Sequence, residues 1–158
     1  MTPNFSREIA RYVERGESVF LVAPADLGRT LVEGTALARA PDAPAFAIVD
    51  LEDHATETRT GLLRSMAMAL GFSETAVDPS RDLRDFSDLL KQRGRSGIAL
   101  AHFERTAGRY GRDFYSALGY LVAEARALRL LLQADRAICE IDLAAADRLI
   151  FLKTVESS

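Results

Sequence analysis

Residues 18–30, Ser18-Val-Phe-Leu-Val-Ala-Pro-Ala-Asp-Leu-Gly-Arg-Thr30, decide how this chain folds. Val19 to Val22 is a short continuous apolar run, the pattern of a strand buried on both faces. Ala23 to Gly28 is turn-like, and Thr30 to Ala40 has the pattern of a helix. A strand, a turn and a helix form the setting in which G-x-x-x-x-G-K-[ST] holds a phosphate. Its glycines let backbone N–H groups curl around the phosphate, the helix N-terminus adds a favourable dipole, and its lysine reaches the outer phosphates. Here Gly28 and Thr30 hold their positions in that pattern, Ala23 replaces the first glycine and Arg29 replaces the lysine. Arginine can bind phosphate, but its planar fork is bulkier than an ammonium and does not track a transferring phosphate as lysine does.

Working outward, Phe5, Ile9, Tyr12 and Val13 follow helical spacing, with Asn4 or Ser6 as N-cap and Gly16 as the stop. Pro41 and Pro44 close the helix after Thr30, and Phe46 to Leu51 is a second buried run. A helix from Thr56 to Leu70 carries Leu62, Leu63, Met66 and Leu70 on one stripe, with Gly71 just past its end. Ser73 to Ser80 is a polar, proline-broken loop, and Leu83 to Gln92 is a helix bearing Leu83, Phe86, Leu89 and Leu90. Gly97 to Phe103 is a third strand, Phe114, Leu118, Leu121 and Val122 mark a further helix, and Leu128 to Gln133 is a fourth strand. In the tail, Ile138, Ile141 and Ala145 share a helical face and Leu149 to Val155 suits a closing strand; one longer helix through Leu152 is the competing reading. Strands alternating with helices predict an α/β fold, a parallel five-stranded sheet covered on both faces in a three-layer sandwich. With no internal repeat or linker, residues 1–158 form one domain.

Composition narrows the function. The net charge of −3 argues against general affinity for nucleic acid or anionic membrane. No apolar run approaches the ~20 residues of a membrane span, and the N-terminus has no signal-peptide core, so a cytoplasmic protein is expected. The single cysteine, Cys139, excludes an internal disulfide, and its apolar surroundings predict an inert core residue.

A nucleotide-hydrolysing site of this kind also needs an acid at the end of the third strand to organise Mg²⁺ and water. Ala101 and His102 stand where an Asp-Glu pair is expected. Glu104 lies three residues further, roughly 10 Å too far along if the strand continues. Gln133, ending the fourth strand, is placed to sense a phosphate.

The order of these pieces resembles the P-loop domain of AAA+ and STAND-type signalling ATPases. Glu17 to Pro24 resembles the approach to their Walker A loop, and Phe46 to Glu52 with Ala67 to Gly71 their second strand and helix. Gly97 to Glu104 resembles their Walker B strand, Leu128 to Gln133 their sensor strand, and Leu149 to Glu156 their last strand. The resemblance implies a strand order of 5-1-4-3-2. The family's helical lid and its arginine sensor have no counterpart before Ser158. The chain is most similar to inactive STAND-like domains of bacterial conflict and signalling systems, which serve as interaction modules. Gly28, Arg29, Thr30, Glu104 and Gln133 are then vestigial nucleotide-binding residues. No catalytic residue, metal or cofactor is expected, although weak binding of ATP with Mg²⁺ stays open.

The expected partner is a protein. Two rival readings are an ATP-binding regulatory switch completed by another subunit, and a nucleic-acid-binding domain resting on Arg105, Arg109 and Arg112, which are spaced about a turn apart. Those arginines read better as the solvated face of a helix. Asp50, Glu52, Asp53 and His54 form the one cluster of potential metal donors, and it reads as a solvated loop; His102 reads as a structural or rim residue.

Overall fold

Every residue of the strand Leu128–Ala134 is buried, and the sheet is built around it. The computed structural model describes residues 3–37 and 46–157. The elements are α1 (Pro3–Glu14), β1 (Val19–Val22), α2 (Gly28–Leu37), β2 (Phe46–Asp50), α3 (Arg59–Ala69), α4 (Asp82–Arg93), β3 (Ser96–Ala101), α5 (Arg112–Gly119), β4 (Leu128–Ala134), α6 (Ile138–Ile141), α7 (Leu143–Arg148) and β5 (Lys153–Glu156). All strand pairs are parallel and the order is β2-β3-β4-β1-β5, the expected 5-1-4-3-2 read from the other edge.

Side chains alternate across the sheet, as strand geometry requires. Phe20, Ile98, Leu100, Leu130 and Leu132 enter one core with Leu62, Leu63 and Met66 of α3, Phe86 and Leu90 of α4, and Phe114 and Leu118 of α5. Val19, Leu21, Ala99, Ala101 and Leu131 enter the other with Ile9 and Val13 of α1 and Leu31 and Val32 of α2. These are the three layers of a sandwich. Because β1, β3 and β4 are covered on both faces, they are predominantly apolar, with Ser96 in β3 and Arg129 and Gln133 in β4 as buried polar exceptions.

The helix ends follow local chemistry. Thr58 caps α3 by accepting the Gly61 N–H at 3.0 Å, so α3 starts later than the predicted Thr56; Thr56 itself ends the short 3₁₀ turn His54–Thr56. Gly71 takes φ +96 beyond that helix, as predicted for its C′ position. Helix α1 begins at Pro3, a residue suited to a first turn, so Asn4 and Ser6 fall within the helical range and not before its start. The closing prolines Pro41 and Pro44 lie outside the described residues.

Two stretches depart from expectation. The third strand stops at Ala101, two residues before the predicted end. His102 adopts a left-handed backbone with φ +63, and Phe103–Thr106 form a 3₁₀ turn. This turn brings Phe103 back onto Phe20, with ring centroids 5.9 Å apart, and onto Tyr115 at 6.3 Å. The tail is helix followed by strand, but the strand starts at Lys153 and not at Leu149. Leu149 is buried and closes α7 against the core, while Ile150 is exposed.

Candidate functional site

The C-terminal ends of β1 to β4 lie along one edge, the place where open parallel sheets bind ligands. There the Ala23 N–H donates to the Ala134 carbonyl at 2.9 Å, tying the loop after β1 to the end of β4. Pro24 has no N–H to offer. Ala25–Leu27 then close into a 3₁₀ turn. The Leu27 N–H donates to the Pro24 carbonyl at 3.0 Å, and the Gly28 N–H donates to the Ala25 carbonyl. Two N–H groups that a phosphate cradle would aim at its ligand are therefore satisfied within the loop.

Two side chains hold this turn from beneath. Gln133 is fully buried; its Oε1 accepts the His102 N–H at 2.9 Å and its Nε2 donates to the Ala23 carbonyl at 3.3 Å. Gly28 lies so close to this amide that a Cβ there would fall 2.3 Å from Gln133 Oε1. The glycine of the phosphate pattern thus makes room for the glutamine. The second side chain is His102. Its Nε2 is 3.0 Å from the Ala25 carbonyl, while Nδ1 is 3.0 Å from Asp50 Oδ1 and 3.1 Å from Glu52 Oε1. Both ring nitrogens face acceptors, an arrangement that favours the doubly protonated ring. Burial pushes the imidazole down, but the Asp50 hydrogen bond, the Ala25 carbonyl and the Asp50 and Glu52 charges outweigh it and hold it above its ordinary range. Asp50 likewise loses to burial but is held below the usual carboxylate range by the Glu52 N–H, His102 and Arg29.

The sequence-predicted residues divide accordingly. Gly28, Arg29 and Gln133 do gather at this edge. Arg29 Nε binds Glu33 Oε1 at 2.7 Å within its own helix, and Nη1 reaches Asp50 Oδ2 at 3.6 Å. Thr30 is exposed. Glu104 sits in the turn after His102, so the 10 Å extension along a strand does not apply to it. Burial, followed by the nearby Asp135 charge, raises its carboxyl above the usual range, and its Oε2 is buried with no hydrogen-bond partner. The three arginines are not one helical face: Arg105 lies in the 3₁₀ turn, where it meets Glu52 Oε2 at 3.3 Å, and Arg112 opens α5. Cys139 is exposed and not a core residue, because the one-turn α6 presents only Ile141, and in part Ile138, inward.

Sequence reasoning missed the partnership of Asp50 with His102. Asp50 pairs in register with Ala101, so an acid does stand beside the empty third-strand position, contributed by the neighbouring strand. Its local neighbours go elsewhere: Asp53 Oδ1 accepts the Ala55 N–H at 2.9 Å, and the exposed His54 meets Glu57 Oε1 at 2.7 Å. The available signal was an aspartate closing a buried apolar run.

Solved structures share this fold. A Walker-type ATPase of Pyrococcus abyssi superposes with a TM-score of 0.60 at 13% identity, over 98% of this chain and 52% of that one. The fold is that of the P-loop NTPases. A chain from the structure of Drosophila ORC bound to AT-rich DNA and Cdc6 superposes with a TM-score of 0.61 at 12% identity, over 98% of this chain and 55% of that one. One from Drosophila ORC bound to GC-rich DNA and Cdc6 gives 0.60 at 12%, over 97% and 56%. This P-loop-fold chain thus spans about half the length of those structures. No family model matches it, and no curated protein matches it in sequence. Among the described residues, no helix is long and apolar enough to cross a membrane.

Proposed function

We propose that this chain is a non-catalytic P-loop-fold module that acts by contacting another protein, in a bacterial-type signalling or conflict system. The observation that carries the reading is the loop itself. Its Leu27 and Gly28 N–H groups are bonded to loop carbonyls, and His102 and Gln133 fasten it from below. Opening it for a phosphate would exchange the exposed loop bonds for bonds to the ligand and water, but it would strip the buried Gln133 and His102 side chains of their loop partners, at about 1–3 kcal/mol each. Nor is the usual acid in place: Ala101 has no carboxylate to organise Mg²⁺, and His102 is committed to Asp50, Glu52 and Ala25.

The rival, a nucleotide switch completed by a partner, is favoured by the exposed Arg29 and Thr30 at the start of α2. Phosphate release from ATP with Mg²⁺ under single-turnover conditions separates the two. The reading predicts no release above background; release that disappears in Arg29→Ala or Thr30→Ala would overturn it.

A further inference from the structure

We propose that Asp50, Glu52 and His102 form a site for one divalent transition-metal ion of the zinc and cobalt class. The site goes beyond the reading above and needs no nucleotide. One donor atom from each residue, two carboxylate oxygens and an imidazole nitrogen, lie within 4.8 Å of one another.

The hydrogen bonds define the state of the ring. The Ala25 carbonyl can only accept, so His102 Nε2, 3.0 Å away, carries the proton. A neutral ring then directs its Nδ1 lone pair at Asp50 Oδ1, 3.0 Å away, and Glu52 Oε1, 3.1 Å away. Asp50 Oδ1 also accepts the Glu52 N–H at 3.0 Å, and a cation between the three atoms would offset their mutual repulsion. A proton on Nδ1 can point along only one of the two lines. A metal bound tetrahedrally at about 2.0–2.2 Å from each ligand sets its ligand atoms roughly 3.3–3.6 Å apart, a few tenths of an ångström wider than the two pairs at His102, and so can serve all three. An imidazole whose other nitrogen donates to a backbone carbonyl is also the outer arrangement that orients metal-bound histidines.

The remaining carboxylate oxygens are already occupied. Arg29 lies 3.6 Å from Asp50 Oδ2, and Arg105 lies 3.3 Å from Glu52 Oε2. These arginines turn the inner oxygens toward His102. Two carboxylates and a neutral imidazole balance a divalent charge, and three protein donors leave a position for water. The mixed nitrogen and oxygen set favours zinc, cobalt or a neighbouring ion over magnesium or calcium. The buried His102 forms the floor, and the half-exposed Glu52 leaves the site open to solvent. A bound ion would join the ends of β2 and β3 and, through the Nε2–H bond, hold the Ala23–Leu27 turn in place.

The test uses the full chain carrying Cys139→Ser and His54→Ala, which removes two exposed groups able to bind metal adventitiously. After chelator treatment and desalting, the protein is titrated with Co²⁺ and followed by its visible absorption, then with Zn²⁺ by calorimetry and melting. One saturable equivalent and a rise in melting temperature are expected. Glu52→Gln, a substitution at a half-exposed side chain, should weaken binding at least about 10-fold while the protein stays folded, and Asp50→Asn should do the same. No saturable binding, or binding that both substitutions leave unchanged, would overturn the proposal and leave the proton as the only cation at Nδ1. Loss of all binding on going from wild type to the Cys139→Ser, His54→Ala background would overturn it equally.

Discussion

Gly28→Ala distinguishes a glycine kept for phosphate from one kept for Gln133. In a helix interior the change would be favourable by about 0.8–1.0 kcal/mol, an upper limit for the first residue of α2. Here the new Cβ would lie 2.3 Å from Gln133 Oε1, 2.7 Å from Cδ and 2.8 Å from Nε2. A flexible side chain usually yields to such a contact, but this amide is fully buried and held from both ends, by the His102 N–H at 2.9 Å and the Ala23 carbonyl at 3.3 Å. Moving it leaves two buried backbone groups unpaired, at about 1–3 kcal/mol each. After the helix gain is subtracted, a net destabilisation of about 2 kcal/mol is expected. Urea denaturation measures it as a lower midpoint at unchanged slope. Gln133→Ala in the same chain makes room for the methyl, so the double variant should be more stable than the sum of the two single changes by about 2 kcal/mol. A neutral or stabilised Gly28→Ala protein would refute the reasoning.

Phe20→Ala should cost about 3–5 kcal/mol in a denaturant melt, because the ring is buried in the central strand against Phe103; a loss below about 1 would contradict its place in the core. Asp82 gives the fold an acid-sensitive point. Burial disfavours its charge, but Arg59 at 2.9 and 3.0 Å, Thr60 at 2.7 Å and the Leu83 N–H at 2.8 Å outweigh this and hold its carboxyl below the usual range. Its contribution is therefore complete above the unfolded value of about 4 and is lost as the pH falls through the lower folded value. Asp82→Ala should remove about 2 kcal/mol at neutral pH, reduced from the deep-burial figure because Arg59 is 38% exposed, and should flatten the acid limb of a stability profile. Arg29→Lys should not restore phosphate release, since it returns a binding charge and no activated water. Adding Ala101→Asp and His102→Glu is the smallest set worth testing, and turnover from Arg29→Lys alone would point to Glu104 as a working acid.

The sheet was legible because strands buried on both faces are mostly apolar, and Val19–Val22, with Leu128 and Leu130 to Leu132, show that without help from the rest of the chain. The end of β3 was not. Nothing local marks His102 for a left-handed backbone; the turn is secured by Gln133, from β4, and by Phe103 packing on Phe20, from β1. The site was half legible for the same reason. Gly28, Arg29 and Gln133 could be placed by their positions after strands. Asp50 and His102 meet across neighbouring strands through a register that adjacent residues do not reveal, and proximity in sequence grouped Asp50 with Asp53 and His54, which turn to local caps. Cys139 was misplaced because an apolar neighbourhood in a one-turn helix does not say which side faces the core.

The most direct test of the central claim, that the loop from Ala23 to Gly28 is closed to phosphate, is the melting temperature of the chain with ATP and Mg²⁺. A ligand present at about 100 times its dissociation constant stabilises a fold by about 2.7 kcal/mol. For a domain of this size that is a shift of roughly 5–10 °C. The closed loop predicts no shift at millimolar nucleotide. A shift of that size, abolished by Thr30→Ala, would show that the loop opens and that the protein is a nucleotide-binding switch.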